Sequence, residues 1–510
     1  MLDNLFWAAA ALPLIVGMIL SFLMEVLLQP KVSFFLQRHW AATYIHVGLY
    51  LILFAGILLL LQRPWFSVII VLALLMLVVQ VSNAKFHSLR EPFIFQDFEY
   101  FTDAIKHPRL YIPFLGVGRA VIVVIGFVAV LFAGLSLESS LTTLISISNF
   151  FMWVGVLIGL GLVLLWIGAR KKLVVIFEPE IDLQQLGLAS SLWRYAEEER
   201  QFNQVLSPYD VIDNPVPPKE LPDLVVVQSE SFFDVRRLFS GIRTEVLQKF
   251  DSIKSEAVCQ GQIEVAAWGA NTVRTEFSFL SGLNPELLGV HRFNPYRKLA
   301  QKDATSTLAS FLKNLGYRTV CVHPYQASFY ARDKVFPLLG FDEFIDIERF
   351  KGIDKAGPYI GDVPLAEKVC SLLEGSSEQP IFIFVISMEN HGPLHMEKVM
   401  QGDEERLYSN PPPQGCDDLT IYLRHLSNAD RMAGMLRDKM KRLSGDSWLC
   451  WYGDHVPIMP NVYSAISTPP GETDYFIWGS CENCSEVGAQ KVKIENLSYS
   501  LLQKIRLVNN

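Results

Sequence analysis

The chain has little positive charge to offer a polyanion. Its 44 Lys and Arg against 52 Asp and Glu leave a formal net charge of -8. No basic tract interleaved with aromatics stands outside the apolar N-terminal third, so nonspecific nucleic-acid binding is excluded. Cysteine is sparse too, seven in 510 residues. Cys481-Glu482-Asn483-Cys484 has no second ligand pair nearby, which excludes a zinc knuckle and leaves a local disulfide or two free thiols. The first apolar stretch has neither a basic leading segment nor a small-residue cleavage site, and reads as a retained helix rather than a removed signal. Beyond Arg170-Lys171-Lys172 no long apolar run returns.

What is abundant lies before that point. A mean hydropathy of +0.27 is too apolar for a purely soluble enzyme. Five apolar stretches, at about 5–28, 42–62, 65–82, 116–136 and 149–168, each approach the ~20 residues needed to cross a bilayer. Residues 1–172 are therefore expected to form a helical membrane domain of five spans. Between Asn83 and Gly116, aromatics alternate with charges, and Phe95, Phe98, Phe101 and Ile105 recur near helical spacing. That pattern predicts a helix at about 93–106 lying in the membrane interface, the alternative being a loop packed on the soluble domain. Lys31, Arg38, Lys85, Arg90, Lys106, Arg109, Arg170, Lys171 and Lys172 collect on one face, and the other carries little besides Arg63. By the positive-inside rule the large polar domain would be cytoplasmic.

Residues 173–222 are charged and mixed, with Glu197-Glu198-Glu199-Arg200 followed by Pro215, Pro217 and Pro218. They read as a juxtamembrane helix and an extended linker. Four short apolar runs then follow in the segment 223–510. Leu224–Val227 leads to Glu230, Arg318–Val322 to His323, Ile381–Ile386 to Asn390-His391, and Trp448–Tyr452 to Asp454-His455. Helical segments such as 303–315 and 363–374 separate them. This is the pattern of an α/β sheet whose strands deliver ionisable residues to their carboxyl ends, the edge at which open α/β sheets bind ligands.

Taken singly, these residues leave alternatives open. Gly453-Asp454-His455 is a cation-binding pair or an ordinary turn. Glu230 is a metal ligand or an acid placed at a helix start. Thr272, entering a helix from the turn at Gly269, is a nucleophile activated by the helix N-terminus or an N-cap completed by Thr275 or Glu276.

In combination, Ser229-Glu230-Ser231, Asn271-Thr272 with Thr275-Glu276-Phe277, Phe329-Tyr330-Ala331-Arg332-Asp333, Asn390-His391 and Gly453-Asp454-His455 are specific. Over nearly its whole length the chain resembles the lipoteichoic acid synthase group of membrane phosphoglycerol transferases, within the alkaline phosphatase and sulfatase superfamily. The resemblance implies five spans, a juxtamembrane linker and a sulfatase-like α/β catalytic domain. It implies that Glu230, Thr272, Asp454 and His455 hold Mn2+ or Mg2+, with Zn2+ the alternative suggested by related phosphoethanolamine transferases. Thr272 would also be the catalytic nucleophile. His391 and Arg332 would hold phosphate and glycerol, Tyr330 would stand where the family can carry a tryptophan, and His323 would support the pocket. The implied donor is phosphatidylglycerol or a similar phospholipid, and the implied acceptor a cell-envelope glycan or glycerophosphate. The implied location is the bacterial cytoplasmic (inner) membrane with the catalytic domain outside, against the Lys/Arg distribution.

A phosphodiesterase or a phosphoethanolamine transferase would use the same residues. A sulfate ester hydrolase would need a Cys/Ser-x-Pro-x-Arg motif, which Cys259-Gln260-Gly261-Gln262-Ile263 does not match. A degenerate scaffold would have lost metal ligands, and all four matching positions are filled.

Overall fold

In hydrocarbon the backbone has no polar partner but itself, which favours helices for long apolar runs such as those of the first third. The computed structural model describes residues 3–99, 125–126, 129–132, 134–201, 205–212, 220–299, 305–353, 355–375, 379–481 and 488–508. Among them four helices, not the five expected, are long and apolar enough to cross a bilayer: Leu5–Leu27, Trp40–Leu61, Pro64–Leu89 and Ile147–Arg170. The expected span at 116–136 falls mostly outside the described residues. A shorter apolar helix, Ala129–Thr143, is described near it. Most of the expected interfacial helix also lies outside the described residues, and its start is a 3-10 turn, Phe95–Asp97.

The third span continues past its expected end at 82. Asn83 is accommodated because its amide donates to Leu27 O (2.8 Å) and accepts from Gln29 N (2.7 Å) at the end of the first helix. The second and last spans approach closely through small residues, as membrane helices do. A Cβ on Gly161 would stand 3.0 Å from Gly48 O, and one on Gly168 would stand 2.8 Å from Ala41 O. Two short helices, Pro179–Leu186 and Leu188–Glu198, pack on this unit. Leu188 N donates to the buried Glu25 carboxylate (2.8 Å), which Arg38 also pairs.

The chain divides into two compact units, Met1–Phe202 and Asn203–Asn510. In the second, the strands are β1 (Asp223–Ser229), β2 (Cys259–Glu264), β3 (Arg318–Val322), β4 (Glu343–Ile345), β5 (Lys355–Ala356), β6 (Tyr359–Ile360), β7 (Ile381–Ile386), β8 (Ser447–Gly453), β9 (Thr473–Gly479) and β10 (Val492–Lys493). Eight of them form one sheet in the order β10-β2-β9-β8-β1-β7-β3-β4, and β5 and β6 pair separately. The four strands expected from sequence are the contiguous parallel centre, β8-β1-β7-β3.

Their side chains alternate between two cores. Val225, Val227, Ile383 and Trp451 pack on one face with the long helix Asp417–Met440. Leu224, Val226, Phe384 and Tyr452 pack on the other with the helix Thr272–Ser281. Burial on both faces is why these strands read as unbroken apolar runs.

Candidate metal centre and active site

Register fixes which residues meet. Ser229 pairs with Gly453 and Gln228 with Ile386, so Glu230, Asp454 and the turn after β7 emerge side by side. Glu230 N is held by Ser387 Oγ (2.9 Å), and Asp454 N bonds Ser229 O (3.3 Å). The result is a buried set, Glu230, Asp454 and His455, whose ligand atoms lie within 4.8 Å of one another.

The set brings two carboxylates and an imidazole face to face. His455 Nε2 lies 3.5 Å from Glu230 Oε1 and 3.4 Å from Asp454 Oδ2. Its Nδ1 is 3.0 Å from Val456 O, a carbonyl that can only accept. Nδ1 therefore carries a proton toward that carbonyl, and Nε2 is the ring atom left facing both carboxylates. Ser231 relieves part of this crowding: its N–H donates to Asp454 Oδ1 (2.8 Å) and its hydroxyl to Glu230 Oε1 (3.0 Å). Ser231 adopts φ +53° to do so. Asp454 Oδ2 is buried with no hydrogen-bond partner. Burial and the neighbouring Asp454 charge push the Glu230 carboxyl up to about 8. A divalent cation would take the orphaned oxygen, the imidazole Nε2 and both carboxylates as ligands together, so the donor set fits such an ion.

Thr272 begins the helix Thr272–Ser281. The residue before it, Asn271, turns the chain at φ +66° and makes no side-chain cap, so the capping-box alternative is not what forms. Both residues are buried. One turn on, Thr275 Oγ1 donates to Asp454 O (2.9 Å), tying the start of this helix to the acidic set.

Glu276, the next residue, is fully buried and fully partnered. Arg332 Nη2 (2.8 Å) and Nε (3.2 Å), Tyr296 OH (2.5 Å) and Gln228 Nε2 (3.4 Å) all donate to it. Arg332, expected at the substrate phosphate, thus has two guanidinium nitrogens on Glu276, and its Nη1 is 3.3 Å from His323 Nε2. His323 lies 3.1 Å from Ile386 O through Nδ1. Burial and the Arg332 charge hold this imidazole neutral, well below its ordinary range. Tyr330, at φ +55°, sits under the Arg332 guanidinium at 5.3 Å. His391 places Nδ1 2.8 Å from Gly392 O and 3.2 Å from Tyr359 OH, and burial lowers its pKa while the Asp454 charge opposes that shift.

The family model described as Sulfatase matches residues 222–504. The chain belongs to the sulfatase family. Among curated relatives, the capsular polysaccharide biosynthesis protein RkpI of Rhizobium meliloti (strain 1021) is 28% identical over 454 residues, 84% of this chain and 79% of that one. Lipoteichoic acid synthase 1 of Bacillus subtilis (strain 168) is 26% identical over 166 residues, 31% of this chain and 25% of that one. Among solved structures, the integral membrane lipooligosaccharide phosphoethanolamine transferase A of Neisseria meningitidis shares the fold. It has a TM-score of 0.56 and 13% identity, over 92% of this chain and 89% of that one.

In this sulfatase-family chain, three residues to which reasoning from sequence gave no part in the site stand in it. Ser231 donates to both carboxylates, Glu276 anchors Arg332, and Tyr359 braces His391. Ser231 and Glu276 lie inside the quoted motifs, and their adjacency to Glu230 and Thr275 was the available signal. Tyr359 lies in no motif and had none.

Proposed function

We propose that the chain is a membrane-anchored, cation-dependent phosphotransferase. It moves phosphoglycerol from phosphatidylglycerol to a glycan or glycerophosphate acceptor through a phosphothreonine at Thr272. The observation that carries this reading is the buried, charge-unbalanced set Glu230, Asp454 and His455 with its orphaned Asp454 Oδ2, tied to the start of the Thr272 helix by Thr275.

Glu230, Asp454, His455 and Thr272 would hold the cation. Two carboxylates and one imidazole suit Mn2+, with Mg2+ and Zn2+ as alternatives. Bound there, a cation lowers the pKa of the threonine hydroxyl and offsets negative charge on the phosphoryl oxygens. In the first half-reaction Thr272 Oγ forms a bond to phosphorus, the bond to the diacylglycerol oxygen breaks, and that oxygen takes up the proton Thr272 gives up. In the second, an acceptor hydroxyl oxygen bonds the phosphorus, the Thr272 ester bond breaks, and Thr272 regains a proton. With the His391 Nδ1 proton given to Gly392 O, Nε2 presents the lone pair of a neutral imidazole, suited to carry that proton between hydroxyls. Arg332, oriented by Glu276, adds a fixed positive charge felt by both Glu230 and His391.

The catalytic unit is assigned to the extracytoplasmic side of a bacterial inner membrane. Cys481 is disulfide-bonded, a state that oxidising compartments maintain. Two basic residues behind the opposite orientation, Arg38 and Lys85, are paired with Glu25 and Asp97. A C-terminal reporter fusion checks this, and a cytoplasmic signal contradicts it.

The fold shared with a phosphoethanolamine transferase favours one second reading, the same chemistry on a phosphoethanolamine donor. Purified protein incubated with Mn2+ and labelled phosphatidylglycerol or phosphatidylethanolamine separates the two. The expected result is diacylglycerol release from phosphatidylglycerol, abolished in Thr272→Ala. Release that survives that substitution refutes the nucleophile, and release without transferred product favours a hydrolase.

A further inference from the structure

A cavity of about 380 Å³ lies where the antiparallel ladder of β2 and β9 opens, beyond its last pair, Ile263 and Thr473. One wall is Glu264 to Trp268 and the other Pro470, Gly471 and Glu472. Both walls lead to the reaction centre. From Trp268 the chain passes through left-handed turns at Gly269 (φ +75°) and Asn271 to Thr272, four residues on. From Glu472 it passes to Thr473, whose hydroxyl donates to Gly453 O (2.8 Å) immediately before Asp454. The cavity therefore borders the loops that carry the nucleophile and the metal-ligand pair.

Its chemistry is selective. Trp268 is half-buried and braced edge-on by Tyr463 at 5.9 Å. Gly471, at φ +112°, lies against it, and a Cβ there would come within 2.9 Å of the indole Cδ1. The indole is thus fixed in place as one wall. Among the described residues the lining carries two carboxylates, Glu264 and Glu472, and no Lys or Arg; Lys491, outside the lining, pairs with Glu472 at 2.6 Å and also acts on Glu264, and Arg237 acts on Glu472. An aromatic surface beside acceptor-only carboxylates suits a ligand with an apolar ring face and hydroxyl donors. A phosphate-bearing chain would meet like charge there. The volume lies in the range of small-ligand pockets, roughly 300–1,000 Å³.

We propose that this cavity is the acceptor subsite and that it takes the sugar ring of a neutral glycan rather than an anionic glycerophosphate chain. The inference rests on the transferase reading for its role, while occupancy by sugar stands on the cavity itself.

Two experiments on the full-length protein in detergent separate these. In the first, a neutral β-linked glucose oligosaccharide and glycerol phosphate are each titrated, with tryptophan fluorescence and calorimetry as readouts. The oligosaccharide is expected to bind, Trp268→Ala to weaken it by about tenfold or more, and Trp268→Phe to recover part of the loss. No binding to the wild type, equal binding to Trp268→Ala, or preferential binding of glycerol phosphate overturns the proposal. In the second, labelled phosphatidylglycerol is supplied with either acceptor. Trp268→Ala is expected to raise the KM for the glucan about tenfold and to lower the ratio of glycan product to free glycerol phosphate. A fall in kcat with the glucan KM unchanged overturns the subsite. Absence of diacylglycerol release from the wild type overturns the transferase reading instead, and the binding experiment still decides the cavity.

Discussion

Glu276 and the pair Glu230 and Asp454 are all buried carboxylates of the catalytic unit, yet the chain treats them in opposite ways. Glu276 receives four donors, two from the Arg332 guanidinium, so its charge is balanced within the fold. Glu230 and Asp454 receive two donors, both from Ser231, and the nearest nitrogen, His455 Nε2, stands 3.5 and 3.4 Å from them. A sheet edge able to neutralise one buried carboxylate leaves two others facing each other with one oxygen orphaned. The difference marks the second set as a place for a cation supplied from outside.

The comparison can be broken by four tests. The largest effect is expected at Thr272→Ala and Asp454→Asn, each lowering transfer by on the order of 10³-fold or more in a product assay. The folded state should barely change, because neither substitution strands a buried charge. A loss of folding would place these residues with the structural set. Arg332→Ala should do the reverse and destabilise by about 3–5 kcal/mol in denaturant titration, because it leaves Glu276 buried and unpaired. Equal stability of this variant and the wild type would erase the distinction.

The third test uses pH. The Glu230 carboxyl is raised to about 8 from an ordinary value of 4.5, so the native state holds a proton that the unfolded chain has lost. The associated stability is present below the ordinary value and is lost as pH rises through the raised one. Thermal midpoints of metal-free protein should fall between about pH 5 and pH 9, and saturating Mn2+ should flatten that slope. The smallest effect is expected at Ser231→Ala, which removes the hydroxyl bond to Glu230 and should cost about 0.5–1.5 kcal/mol.

How much of this was legible in the sequence depends on burial. β1, β3, β7 and β8 lie between two helical layers, so both faces are apolar and each strand appears as an uninterrupted run. β2, with Gln260, Gly261, Gln262 and Glu264, has a burial that alternates and ends exposed, and was not read as a strand. The third span hid its last two turns or so because Asn83 and Lys85 look like a loop until their partners on other segments are known. Glu230, Asp454 and His455 were legible as strand-end residues because register in a parallel sheet brings such ends together. The pairing of Arg332 with Glu276 was not, since no spacing relates positions 56 residues apart. The acceptor cavity depends on two loops meeting where a ladder opens, a feature no local pattern carries.

Titration of Mn2+ into metal-free protein near pH 7, by calorimetry in two buffers of different ionisation enthalpy, tests the central claim most directly. One cation per chain should bind with release of about one proton, the one Glu230 holds, and Asp454→Asn should abolish the binding. Binding that Asp454→Asn leaves intact, or no binding to the wild type, would contradict the account.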